Sequence, residues 1–226
     1  STGVLPARAS SQSAKWHTAA QGWGRSVVGY RDTKQETMPF PREIQTAVDY
    51  LNEETVSCSN YHEDGRVNSV QDEDTVITML EKKFGSDNIQ RPASREWWDV
   101  KIYNYPVQIK STNVAKKSAD NFSSKAAILY ALTYLPESQV NVRGWAQFEQ
   151  ALLDYSDIEN DRDYYILVVD KGSGKAHLTS LKSLVKLTPN GNNLPFQVVW
   201  ADNLSPKNNT FAEAKSILVT AYKKSV

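Results

Sequence analysis

Asp99, Gln108 and Lys110 are the residues whose types and spacing best suit chemistry. Gln108 and Lys110 stand two apart, and side chains two apart on a strand share a face. Asp99 lies in the preceding apolar run, so a hairpin joining the two runs brings its carboxylate beside them. A carboxylate, an amide oxygen and an ammonium then converge. Oxygen donors suit Mg²⁺, which keeps waters and binds through one or two carboxylates plus a substrate phosphate. Such a metal generates a hydroxide nucleophile and offsets charge on a phosphorus centre. A lysine beside it holds or deprotonates the attacking water and stabilises developing charge. On spacing alone, Asp99 followed by Gln108-x-Lys110 fits a solvent-facing strand edge better.

The elements that must position these residues read as follows. Ile44, Ala47, Val48 and Leu51 repeat at helical spacing after Pro41, which suits a first turn. A polar stretch, Asn60 to Asn68, follows. Ser69 is placed to cap a second helix, with Asp72 and Glu73 in its first turn, Val76, Ile77, Leu80 and Phe84 as its apolar face and Gly85 as its end. Strands are expected over Trp97–Tyr103 and Val107–Thr112, joined by Asn104-Tyr105-Pro106. A helix through Ala126, Ile128, Leu129, Ala131 and Leu132 stops before Pro136, and another covers Gly144–Tyr155. Tyr164–Asp170 is an apolar strand, turned by Gly172-Ser173-Gly174 into Ala176–Thr179. A short helix over Ser180–Leu187, a strand over Phe196–Trp200 and a helix over Phe211–Tyr222 complete the chain. This order predicts an α/β fold around a central mixed β-sheet.

Composition bounds the function classes. The 226 residues carry 26 Lys and Arg against 26 Asp and Glu, so the formal net charge is zero. A neutral chain does not announce nucleic acid, but charge segregated by face can still serve it. Cys58 is the single cysteine, which leaves no disulfide framework and no cysteine zinc site. His17, His62 and His177 lack metal-ligand spacing. No run suits a membrane span and no signal-peptide pattern opens the chain, so a cytoplasmic protein is expected. Residues 1–31 hold Arg8, Lys15, Arg25 and Arg31 without an acid, with Trp16, Trp23 and Tyr30 between them. They read as a part-ordered extension or as a basic arm on phosphates. Residues 1–39 are taken as that arm and 40–226 as a single domain.

Blocks in order along the chain carry a resemblance. They are Gly65-Arg66-Val67-Asn68-Ser69 leading to Glu73, Trp98-Asp99-Val100, Val107-Gln108-Ile109-Lys110-Ser111-Thr112, Ala119-Asp120-Asn121, and Asn190 to Phe196 before Val198-Val199-Trp200. In this order the chain resembles the PD-(D/E)XK nucleases, and among them the type II restriction endonucleases. The resemblance implies a restriction-endonuclease-like core with a central mixed sheet flanked by helices, and Mg²⁺-dependent, sequence-specific hydrolysis of double-stranded DNA in a prokaryotic cell. It places the metal at Asp99, Glu73 and Ile109, and catalysis at Asp99, Gln108, Lys110 and Glu73. Gln108 departs from the pattern, which has an acid there. Glu73, on the preceding helix, is the first place to look for the missing carboxylate, ahead of Asp72 and Asp74.

DNA contacts are expected from Ser111, Thr112, Asn113, Lys116, Lys117, Asp120, Asn121, Ser123 and Lys125, and from the polar loop with Asn190, Asn192 and Asn193. Arg91, Arg95 and Arg143 are further candidates. Lys116 and Lys117 also fit a solvated loop, and one of Trp97 and Trp98 fits the core. Cys58 fits a buried or idle thiol. A palindromic site would call for a homodimer. Two other readings stand beside this one: a structure-selective repair or junction-resolving nuclease, and a DNA-binding module with a vestigial nuclease site.

Overall fold

The sheet is organised around one strand that is apolar on both faces. Tyr165–Asp170 (β5) reads YILVVD and buries Tyr165 through Val169 without a break. A continuous apolar run of this kind marks a strand covered on both sides. A computed structural model describes residues 40–59, 65–93, 96–121, 124–190 and 195–225 of the chain. In it β5 lies fourth in a five-stranded mixed sheet ordered β1-β2-β3-β5-β6. The other strands are Ile89–Gln90 (β1), Val100–Ile102 (β2), Tyr105–Thr112 (β3) and Ala176–Ser180 (β6). β3 and β5 run parallel and the remaining pairs antiparallel.

Alternation along the strands divides the core in two. Val107, Ile109, Tyr165, Leu167 and Val169 face Arg42–Glu54 (α1) and Gly65–Phe84 (α2), meeting Ile44, Val48, Leu51, Val76, Ile77 and Leu80. Ile166 and Val168 face Lys125–Leu132 (α3), Trp145–Tyr155 (α4) and Phe211–Lys223 (α5), meeting Ile128, Leu132, Phe148 and Leu218. Helices thus flank both faces of the sheet, the α/β architecture expected from the element order. The described residues all lie in one compact unit. Burial of this apolar area is the main stabilising term.

Local details depart from the sequence expectation in instructive ways. α2 starts at Gly65, so Ser69 lies inside the helix and is not its cap, and Asp72 and Glu73 are no longer in the first turn. Asp72 has a tertiary role in place of the expected dipole one: it is fully buried, accepts the Ser59 N–H at 2.6 Å and pairs with Lys171. The β2–β3 turn sits at Tyr103-Asn104, one position earlier than expected, with φ of 48° and 72° at its two residues. Two positive φ values give the mirror-image turn whose twist suits a hairpin. Tyr105 and Pro106 already belong to β3. Pro106 is tolerated there because its missing N–H faces the β5 side, where pairing begins only at Val107. The helix expected over Ser180–Leu187 is one 3-10 turn, Leu181–Ser183, closed by reciprocal Ser180 and Ser183 bonds. The late strand, Gln197–Val199 (β7), pairs with Ala119–Asn121 (β4) in a separate two-stranded sheet. β7 falls within the strand expected over Phe196–Trp200, whereas β4, three residues long, is too short to show a pattern in sequence.

Gly174, in the turn before β6, has φ of +68°, and a Cβ there would stand 2.7 Å from the Val56 carbonyl oxygen. The Gly174 carbonyl also accepts the Val56 N–H at 3.1 Å. Gly174→Ala is therefore expected to destabilise the fold by about 1–3 kcal/mol. A thermal melt in which this variant matches the parent would contradict that expectation.

Candidate functional site

Asp99, Gln108, Lys110 and Glu73 gather at a notch on the edge of β3. β2 begins at Val100 whereas β3 runs on to Thr112, so the last half of β3 has no β2 partner. The Asp99 N–H closes the hairpin on the Val107 carbonyl at 3.0 Å. That bond is one residue out of the β2–β3 register, which pairs Val107 with Val100, so Asp99 stands at a bulge at the end of β2. Backbone groups alternate sides along a strand, so the Ile109 N–H and C=O point the same way as those of Val107. There the Ile109 N–H donates to Asp99 Oδ2 at 2.8 Å. The Ile109 carbonyl shares this edge, which makes a backbone oxygen available beside the carboxylate.

Gln108 and Lys110 occupy the face of β3 opposite Val107 and Ile109, and both are half-buried. Polar side chains on an inner strand need partners. Yet Gln108 Oε1 is buried with no hydrogen-bond partner among the described residues. Lys110 makes no ion pair among them either, although its charge acts on both Glu73 and Asp99. α2 packs against β3 and carries Glu73 to the same notch.

The electrostatics follow from crowding two carboxylates in a place short of water. Burial, then the neighbouring Asp99 charge, push Glu73 up to about 7, with Lys110 opposing and Asp74 adding to the rise. Asp99 is raised by burial, held back by the Ile109 N–H and by Lys110. Two neighbouring carboxylates, with the Gln108 amide oxygen on the same strand edge, form a set of hard oxygen donors. Among the described residues no group of three or more His, Cys, Asp and Glu forms a metal cluster. The donor set here is two carboxylates, one amide oxygen and one backbone carbonyl, and it fits a divalent ion such as Mg²⁺.

The remaining expected residues scatter around this notch. Ser111 lies on the α1 and α2 side of the sheet with Val107 and Ile109, its buried Oγ without a partner among the described residues. The Thr112 carbonyl accepts the Lys171 N–H, and Asn113 leads into the 3-10 turn Val114–Lys116. Lys116 and Lys117 are exposed, the latter at φ of 50°. Asp120 accepts the Trp200 indole N–H at 3.1 Å, Asn121 is exposed on β4, and the Lys125 ammonium sits 4.7 Å from the centre of the Trp145 ring. Trp98 is buried in the core, while Trp97 packs at a tilt against Tyr130 and Tyr164. Arg91 is taken up by Asp74 and Glu81, and Cys58 is part-buried with its thiol raised by burial. Arg95, Ser123, Asn192, Asn193, His62 and the basic stretch Arg8 to Arg31 lie outside the described residues.

One member of the site escaped the sequence reading. Tyr164 is almost wholly buried and its hydroxyl donates to the Trp97 carbonyl at 3.0 Å, holding the chain two residues before Asp99. Burial and the charges of Asp99 and Glu73 raise its phenol well above the usual range. In sequence it is one more apolar strand residue, and nothing there marks it.

No family model matches the chain, and no curated protein does. A search of solved structures matches a restriction endonuclease in complex with substrate DNA. The alignment covers 56% of this chain and 51% of that one, at 16% identity and a TM-score of 0.26. So slight a likeness, over about half of each chain, carries no weight in assigning function.

The shift at Glu73 has a consequence for stability. Its folded value, about 7, exceeds its ordinary 4.5, so the folded metal-free protein keeps a proton that the unfolded chain releases. Stability from this group is complete below about pH 4.5 and is lost as pH rises through 7. Glu73→Gln imitates the protonated form. In chelator it is expected to melt above the parent at pH 8, by on the order of 1–3 kcal/mol, and to melt with it at pH 4. A parent curve that climbs between these values alongside an unchanged variant would contradict the assignment.

Proposed function

We propose that this chain hydrolyses phosphodiester bonds of double-stranded DNA at specific sites, with Mg²⁺, as type II restriction endonucleases do. The observation that carries the reading is the notch itself: Asp99 and Glu73 within electrostatic reach of Lys110, on the strand whose Gln108 oxygen is buried and has no hydrogen-bond partner among the described residues. Asp99, Glu73 and the Ile109 carbonyl would hold the metal, with Gln108 as a neutral ligand or positioner. When bound, the ion supplies Lewis acidity and lowers the pKa of coordinated water.

The protein's own groups then have distinct tasks. The Ile109 N–H fixes one oxygen of Asp99 and leaves the other to face the notch. Two ionised carboxylates match a divalent charge, so the Lys110 ammonium is left to face the phosphodiester. Lys110 orients the attacking water and offsets negative charge as the P–O bond to the 3′ oxygen breaks, leaving a 5′-phosphate. An acid at position 108 would add a third negative charge. Glutamine avoids that, and Glu73 from α2 supplies the second carboxylate. Lys116, Lys117 and Asn121 are exposed and able to reach phosphates or base edges. A palindromic site would require two copies related by a two-fold axis, so a homodimer is part of the proposal.

Digestion of a sequenced plasmid with and without Mg²⁺ tests this. Discrete fragments are expected from the parent, and losses of roughly 10²–10⁴-fold from Asp99→Ala and Lys110→Ala with the melting temperature retained. Branched-only cutting would instead identify a structure-selective nuclease. No cutting under any metal, with DNA still bound, would leave a DNA-binding module and refute the proposal.

A further inference from the structure

Glu73 sits on α2, which packs on the Val107 and Ile109 side of β3, the side opposite Gln108 and Lys110, so something must hold its turn of α2 at the notch. The residue before it is tied down. Asp72 is fully buried, and its Oδ2 lies 2.9 Å from the ammonium of Lys171, itself 19% exposed, as an ion pair that lacks hydrogen-bond alignment. Its Oδ1 accepts the Ser59 N–H at 2.6 Å. Lys171 follows β5 directly, and its N–H donates to the Thr112 carbonyl at 2.9 Å, at the end of the strand that carries Gln108 and Lys110. A chain of contacts therefore runs from α2 beside Glu73, through Lys171, to β3. By contrast Asp74, on the other side of Glu73, is exposed and turned to Arg91 on the surface.

We propose that the buried Asp72–Lys171 pair is a positioning device for Glu73, setting the distance and phase at which α2 presents that carboxylate to the metal-binding notch. A buried pair is costly to desolvate, so retaining one here is better explained by what it places than by net stability. The inference rests on the reading of Asp99 and Glu73 as metal-holding groups, and it adds two residues that touch neither metal nor DNA.

The test is calorimetric titration of the full chain with Mn²⁺, without DNA, so that it does not depend on cleavage. Parent and Asp99→Ala come first: binding that Asp99→Ala abolishes upholds the metal reading, and no Asp99-dependent binding overturns both that reading and the device. Given such binding, Asp72→Asn and Lys171→Met are expected to weaken Mn²⁺ by roughly 10- to 100-fold, as loss of groups that orient ligands does. Asp74→Asn removes the same charge at the same sequence distance, and is expected to change affinity by less than about 3-fold. Lys171→Arg, which keeps the cation, is expected to recover most of the loss. Should either single variant fail to fold, the Asp72→Asn, Lys171→Met double variant leaves no buried charge unpaired and serves in its place. Folded Asp72 and Lys171 variants that bind Mn²⁺ like the parent, or like Asp74→Asn, would overturn the device while leaving the metal reading intact.

Discussion

The site depends on one hydrogen bond, from the Ile109 N–H to Asp99 Oδ2. It stands where the next rung of the β2–β3 ladder would be, and a side chain replaces a backbone acceptor. An inner-sheet N–H left bare would be costly. Satisfying it with Asp99 aims a carboxylate along the open edge of β3, toward the residues that alternate onto that face. Shortness of β2 and orientation of Asp99 are therefore a single feature. Were β2 longer by two residues, a backbone carbonyl would take the Ile109 N–H and the notch would be paired shut.

Around that bond the fold divides its labour between faces. Val107 and Ile109 give β3 an ordinary apolar side against α1 and α2, which holds the strand rigidly. Its other side gives up apolar cover at Gln108 and Lys110, while β5 keeps both sides apolar at Ile166 and Val168. Rigid elements hold catalytic groups more closely than loops do. The cost shows in the repulsion between Glu73 and Asp99 and in the unmet Gln108 oxygen. On the proposed reading a bound divalent cation would offset the repulsion between the two carboxylates.

Much of this was legible in the chain. The alternation of Val107 and Ile109 with Gln108 and Lys110, the unbroken apolar run of β5, and helical spacing in α1 and α4 each report a local period that burial must obey. These determined the α/β architecture and placed Asp99 near Gln108 and Lys110, because a hairpin between adjacent strands is a local event. Glu73 was reachable only through the order of the blocks, since no period links a helix residue to a strand thirty-five positions on.

What only the tertiary structure decided were the meetings of residues distant in sequence. Asp72 finds Lys171, Tyr164 finds Trp97, Trp200 finds Asp120, and β4 finds β7. Each joins groups whose own neighbours in sequence carry no sign of the partner. The setting of Asp72 belongs with them, because it is buried against Lys171 and Ser59, neither of them a neighbour on α2. Local propensity determines which segments can be helix or strand. Desolvation of particular polar groups decides how those segments meet, and it acts only once the chain has closed on itself.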